Sequence, residues 1–322
     1  MPFNSIISRT DADALMREQV SQEILKGITE TSVVMRLGRK LMNMPSSQTR
    51  MPVMSVLPIA YPVSPTDTGL KQTTEVNWAN KYIDAEEIAV IVPIPQAVLD
   101  DAPYDIIGEA KPAIIEAADK LIDQMVLYGT NIFSSWTTNL GAAGLIAGIT
   151  AASHLISLAN YTDIYEAVLG EAAVGGAAGL FGLIEDDGYL VTGAIAATRT
   201  KRLLRNCRDK NGQPIFVPNP QAPATYLLDG VPCEFPLHGG ISSTYHLIAG
   251  MWNKLVFAMR QDMRFEVAKE AVIQDANGAI VYNLFQQDMV ALRCTMRLGF
   301  ALPHPVTHMD SGTGFPFAAL TA

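Results

Sequence analysis

The chain has 322 residues, of which 49% are hydrophobic and only 17% charged, against about a quarter charged in an average soluble protein. That length suggests about two domains and a core that needs neither disulfides nor a structural metal, and so few charges leave part of the surface to be covered by other chains. A net charge of −9 and a pI near 5.0 argue against a face that grips nucleic acid, while three scattered cysteines (Cys207, Cys233, Cys294) exclude a disulfide framework and suit a reducing compartment.

The opening residues, MPFNSIISRTDADAL, have neither the basic nor the apolar region of a secretory signal. A helix follows, capped by Thr10 or Asp11, with Leu15, Val20, Ile24, Leu25 and Ile28 at helical spacing and Gly27 weakening its end. A second, short helix carries Val33, Val34, Leu37 and Leu41 and stops at Pro45 and the polar run SSQTR. Strands are expected at 50–57 (RMPVMSVL) and 86–94 (EEIAVIVPI). The 28 residues between them are rich in Pro, Thr, Asn and Lys, yet carry Tyr61, Trp78 and Tyr82. Loops this long are uncommon inside compact domains. Two readings stand: a disordered surface loop, or an extended two-stranded arm over about 58–85. A lone hairpin is marginal in water, so such an arm needs a neighbouring subunit to lie on.

Residues 100–128 read as one long helix, capped at Asp105 and closed by Gly129. Pro112 either kinks it or marks its true first turn. From 130 to 250 the composition turns to Gly and Ala, with shorter elements: a helix from Thr162 or Asp163 to about 173, a strand at 189–192, and a helix at 194–207 whose exposed face carries Arg199, Lys201, Arg202 and Arg205. Strands near 225–228 and 231–235 are split by Asp229-Gly230. The apolar stretch 140–159 is mostly Ala and Gly with His154 inside it, which reads as packed or loop structure rather than a membrane span. Strands at 255–259 and 265–268 flank a polar turn, and Asn277-Gly278 signals a hairpin. Val290, Leu292, Cys294, Met296 and Leu298 then alternate with polar or small residues, the period of a half-buried strand, which Pro303 and Pro305 end.

Chemical motifs are missing. There is no nucleophile elbow, zinc-binding helix, phosphate loop or dinucleotide glycine motif. His304, His308 and Asp310 come nearest to a metal set, but an i,i+4 histidine pair chelates on a helix and Pro305 opposes one. Glu86-Glu87, Asp100-Asp101 and Asp186-Asp187 are sequence neighbours that point to different faces, as solvated charges do. The basic helix face has no interleaved aromatics for base stacking and reads as solvated or subunit-facing. No cofactor, metal or membrane is called for.

The order of these elements, from about residue 28 to 308, resembles a tailed-phage major capsid protein of the Hong Kong 97 type. TSVVMRLGRKLMNMP is similar to the family's exit from its N-terminal arm, and the strand–long loop–strand of 50–94 to its extended loop. VPIPQAVLDDAPYDIIGEAKPAIIEAADKLIDQMVLYGT resembles the strand and spine helix, LIAGMWNKLVFAMRQDMRFEVA the late hairpin, and DMVALRCTMRLGFALPHPVTHM the closing strand. The resemblance implies an α+β fold: an N-terminal arm and helices (1–49), an extended β-hairpin loop between strands (50–94), a long spine helix (95–129), an axial domain (130–250) inserted in a peripheral domain completed by 251–310, and a C-terminal tail (311–322). It implies a non-enzymatic protein that self-assembles through hexamers and pentamers into the icosahedral shell of a phage or prophage. Such a protein is assembled in the bacterial cytoplasm, resides in the virion and encloses double-stranded DNA without reading its sequence. Separate scaffolding, portal and decoration proteins are the other implied partners, and the start of the chain about ten residues before its first helix implies no cleaved scaffolding segment. Tyr61, Lys71, Trp78, Lys81 and Tyr82 would contact the next subunit. Some family members cross-link a loop lysine to an asparagine; Lys71, Lys81 and Asn283 are placed for this only roughly. Two other readings are an encapsulin-type nanocompartment shell, which shares the fold, and a soluble oligomeric enzyme using His238, His246 or the His304–His308 pair.

Overall fold

The structure, a computed structural model, describes residues 31–63, 71, 73–102, 105–170, 178–208, 212–213, 216, 226–275, 277–309 and 314–322. The helix expected before residue 30 lies outside them. Helix α1 (Val33–Leu37) starts at Ser32, whose side chain accepts from the Met35 N–H. It ends at Gly38, and β1 (Arg39–Lys40) follows at once. Leu41 is therefore not on the helix; it packs with Met44 and Ile83 instead. Next come β2 (Gln48–Val56), β3 (Asn77–Asp84) and β4 (Glu86–Pro95). The helix expected at 100–128 is two: α2 (Gln96–Asp101) and α3 (Ile106–Tyr128). Extended backbone at Ala102 and Asp105 separates them, and the Asp105 carboxylate opens α3 by accepting from the Gly108 N–H at 3.0 Å. Pro112 falls in the second turn of α3 rather than at its start, and Gly129, at φ 70°, closes the helix as expected.

The 140–159 stretch breaks into the end of α4 (Ser134–Leu140), α5 (Leu145–Ala151) and β5 (Leu155–Ser157), and no helix among the described residues is long and apolar enough to cross a membrane. Beyond it lie α6 (Ile164–Leu169), α7 (Leu180–Asp186), β6 (Gly193–Ala196), α8 (Thr198–Asn206), β7 (Tyr226–Leu228), β8 (Val231–Glu234) and β9 (Tyr245–Gly250). The chain finishes with β10 (Val256–Ala268), β11 (Val272–Gln274), β12 (Ile280–Asn283), β13 (Met289–Ala301) and β14 (Phe317–Thr321).

Two sheets organise these elements. The first has the order β1-β10-β13-β4, the second β5-β14-β9-β6-β8-β7. Helix α3 lies on the first, where Ile114 meets Leu292 and Cys294. A large core then runs from Ile122 and Val126 through Trp136, Phe257 and Phe300 to Trp252 and Phe317, joining α3 to both sheets. Helices α6, α7 and α8 cover one face of the second sheet through Ala167, Val168, Leu180, Ile184 and Leu204.

Three expectations change here. Residues 194–196 are strand, not helix, and the strand expected at 189–192 sits just after it, at 193–196. Gly-Ala-Ile-Ala is buried on both faces in the middle of a sheet, so its small apolar residues carry no period of two. The polar run at 260–263 does not turn. It passes through β10, where register shifts against β13 at Met259/Gln261 and Gln261/Arg264 absorb it. Strand β3 falls within the expected 58–85 arm and pairs with β2, which agrees with the two-stranded reading of that segment. Finally, the expected tail contains β14, which is inserted between β5 and β9, with Phe317 edge-on to Trp252 at 5.1 Å.

Candidate assembly interface

Among the described residues, β2 and β3 pair only with each other, in a two-stranded antiparallel ribbon of Gln48–Val56 against Asn77–Asp84. Its root is fixed by hydrogen bonds that converge on Asp84. The Trp136 indole N–H donates to the Asp84 carbonyl at 3.1 Å, while Asn139 and Gln48 donate to its two carboxylate oxygens at 3.0 and 2.8 Å. Gly299 of β13 permits this approach, because a Cβ there would lie 2.3 Å from the Asp84 carbonyl oxygen. Higher up, the Val306 N–H donates to the Met54 carbonyl.

Alternation along the ribbon decides what each face offers. Register pairs Met54 with Trp78, Pro52 with Asn80 and Arg50 with Tyr82 on one face. Trp78 is 64% exposed, and Met54, Val56 and Tyr82 are exposed around it. Ile59, Tyr61 and Val63 extend the same apolar character beyond β2. Such a run on a ribbon with no third strand is what a partner surface looks like. Of the residues singled out in sequence, the structure therefore brings Trp78 and Tyr82 onto one face and leaves Tyr61 exposed near it. Lys81 is exposed on the opposite face, across from Met51, and lines a small cleft with Asn139 and His304. Lys71 is exposed. Asn283 closes β12, opposite Val272, and its side chain bonds Gln286.

A second apolar surface was not anticipated from the sequence. Ile91 and Val267 on the outer face of the first sheet, with Val272 on the β11–β12 hairpin, line a cleft of about 650 Å³ and are exposed, as are Ile280, Val281, Tyr282 and Phe285 nearby. The signal was there: three consecutive apolar residues, Ile280 to Tyr282, in a hairpin too short to bury both faces. Charges line its floor in pairs, Glu266 with Arg293, and further along the sheet Glu87 with Arg297.

The histidines do not converge. His238 and Asp123 are fully buried, 2.9 Å apart. His238 Nδ1 accepts from the Gly240 N–H, and its Nε2 faces the Asp123 carboxylate. Asp123 also accepts from the Ser32 hydroxyl (2.6 Å) and the N–H groups of Val33 and Val34, so it ties the start of α1 to α3. Asp119, one turn earlier, is held up at about 6, first by burial and then by Asp123 beside it. His246 bonds Thr200 and is pushed below its usual value by burial and then by Arg199. His304 faces the Tyr189 hydroxyl, His308 is exposed, and Asp310 lies outside the described residues. No group of three or more potential metal ligands occurs among the described residues. All three cysteines are buried, and burial pushes the Cys233 thiol up to about 12. None of the carboxylate neighbours forms a converging pair; Glu86 accepts from Ser135, Glu87 pairs with Arg297, and Asp187 holds the Phe315 N–H.

The profile of the phage capsid family matches residues 12–306 of the chain. The major capsid protein of Staphylococcus phage 80alpha is 26% identical over 303 residues, which cover 92% of this chain and 84% of that one. Among solved structures, a chain of Microbacterium phage Oxtober96 superposes with a TM-score of 0.81 at 29% identity, covering 98% of this chain and 99% of that one. A chain of Mycobacterium phage Adephagia does so with a TM-score of 0.80 at 26% identity, covering 98% of each.

Proposed function

The chain belongs to the phage capsid family, and from that premise we propose that its subunits form hexamers and pentamers held together by the β2–β3 ribbon. It is a major capsid protein of the tailed-phage type with the Hong Kong 97-like fold. The relatives found are capsid proteins by family and by name, which favours a shell around a genome over a nanocompartment or an enzyme.

In this reading the β1-β10-β13-β4 sheet with α3 is the peripheral domain. The six-stranded sheet is the axial domain, which the chain enters after α3, leaves at β9 and re-enters as β14. The ribbon of one subunit lies across its neighbour and buries Met54, Trp78 and Tyr82 there. The observation that carries this is the ribbon itself: two strands, no third partner, and an exposed apolar face. Loss of that apolar area to a neighbour is worth about 25 cal/mol per Å², which offsets the cost of ordering a hairpin that is marginal alone. Assembly takes place in the bacterial cytoplasm, with scaffolding, portal and decoration proteins supplied separately. The product is a virion shell that contains double-stranded DNA without reading its sequence.

The test is Met54→Ser/Trp78→Ser/Tyr82→Ser, which strips the ribbon's apolar face and spares its root at Asp84. The variant should keep the native circular dichroism spectrum yet yield no complete shells by negative-stain microscopy. Complete shells from this variant would sink the ribbon's role.

A further inference from the structure

Charge is segregated along this chain in a way that no local rule requires. Residues 121–198 contain seven Asp and Glu and no Lys or Arg. Residues 199–210 then contain six Lys and Arg, which are all the basic residues between 130 and 250. The fold sets the two groups toward different ends of one sheet, over β14 and beside β7. Along α8, Thr200 and Leu204 point inward and are buried, while Arg199, Arg202 and Arg205 are exposed. Lys201 instead anchors the helix, because its ammonium lies 3.9 Å over the Tyr226 ring and 5.5 Å over Phe235, which pins α8 beside β7. Helix α7 lies on the same face of the sheet and, like α8, touches β9, but it packs chiefly on β14, toward the β5 end, and its last residues, Glu185 and Asp186, are exposed. β7 and β5 are the two end strands of the sheet. None of these five exposed side chains makes an ion pair with a described residue. Asp163 and Glu166 lie near Cys207, at the end of α8.

We propose that, around the axis of a capsomer, the arginine face of α8 seats against the acidic end of α7 of the next copy of this chain. The inference rests on the capsid reading and adds to it the charges that close the ring. A ring about an axis needs a head-to-tail contact, in which two different faces of the same chain meet. A domain with cations toward one end of its sheet and carboxylates toward the other is complementary to itself in that arrangement, whereas a two-fold contact would set like against like. A second copy fits better than nucleic acid: over 130–250 carboxylates outnumber Lys and Arg nine to six, so the domain as a whole repels a polyanion.

Two charge-reversed chains test this, Arg202→Glu/Arg205→Glu and Glu185→Arg/Asp186→Arg, with capsomers counted by native mass spectrometry and folding checked by circular dichroism. Each alone should associate about a hundredfold more weakly than wild type. The milder Arg202→Gln/Arg205→Gln, about tenfold weaker, serves where reversal disturbs folding. An equimolar mixture of the two reversed chains should regain rings, because each presents to the other what it cannot present to itself. Those rings must alternate, so six can close and five cannot. Rescue confined to even-numbered rings is the expected result. Reversed chains that assemble like wild type, or a mixture that recovers nothing, would overturn the pairing. So would loss of bound DNA with capsomers intact, which would assign the helix to the genome. A wild-type chain that forms no capsomer at all would remove the capsid reading itself, and the pairing with it.

Discussion

At the scale of single residues, the buried Asp123 knot shows how the fold holds the place where the chain enters the body. Ser32, Val33 and Val34 all donate to one carboxylate on α3, and His238 completes its coordination from a loop of the other sheet. The cost falls on Asp119, one helical turn away, whose carboxyl is held at about 6 against a usual 3.8. A carboxyl raised in the folded state contributes stability that is full below 3.8 and lost as pH rises through about 6. His246 works the other way: lowered from 6.5 by burial and by Arg199, it contributes stability that is present above 6.5 and lost on acidification. The two slopes oppose each other over the weakly acid range. Asp119→Asn keeps the shape of the protonated acid and cannot ionise, so it should stabilise the unassembled subunit by about 1–2 kcal/mol at pH 7. It should also leave the His246 slope exposed, so that stability falls steadily from pH 6.5 downward. Urea midpoints at several pH values check both points; a variant no more stable than wild type at pH 7 would mean that Asp119 is not strained.

At the scale of elements, what was legible in the sequence is what local chemistry dictates. Asp105 and Gly129 bracket α3 because a carboxylate cap and a left-handed glycine act over one turn. Asp229-Gly230 and Asn277-Gly278 give hairpins for the same reason, with Asp229, Gly230 and Gly278 all at positive φ. Tyr61, Trp78 and Tyr82 betrayed the ribbon because aromatics have no place in a solvated linker. Elements set by distant partners were not legible. β6 is too small-sided to show a period, and the Ser32–Asp123 bond spans 91 residues of sequence. β14 is four apolar residues and a threonine, with no strand-length pattern of its own, yet it lies between β5 and β9 with Phe317 to Leu320 buried. Truncation after residue 314 therefore tests the two readings of this segment. A tail would be dispensable. A sheet strand is not: its loss strips Trp252 of Phe317 and leaves β5 without its partner, so the truncated chain should lose cooperative thermal unfolding or fail to accumulate as soluble protein. A truncated chain that melts like wild type would return the segment to a tail.

At the scale of the whole molecule, the low charge content and the two exposed apolar surfaces have one physical consequence. The subunit alone is an incomplete structure, and its parts differ in how much they depend on assembly. The core around α3, β13 and Trp136 is closed within one chain, with Ile122, Val126, Trp136, Leu298 and Phe300 buried. Among the described residues, the ribbon is held to its own chain near the Asp84 root, where Ile83 and Met51 pack on the body and Lys81 lines the Asn139–His304 cleft, and higher up by the Val306 bond to Met54. Local stability follows buried contacts, and hydrogen exchange reads it amide by amide. In dissociated subunits the amides of α3 and β13 should exchange slowly and those of Gln48–Val56 and Asn77–Asp84 quickly, with protection rising along the ribbon toward Asp84. On assembly the core should change little while the ribbon slows by about tenfold or more, because a neighbour that binds only the ordered ribbon stabilises it by mass action. The gradient is the discriminating feature. Tip amides that gain more protection than root amides place the new contact far from the subunit's own body, as a ribbon laid over a neighbour requires. Equal protection before and after assembly would mean that the ribbon is held by its own chain, and the shell would then have to be joined through the Val267–Val272 cleft and the charged faces of the second sheet.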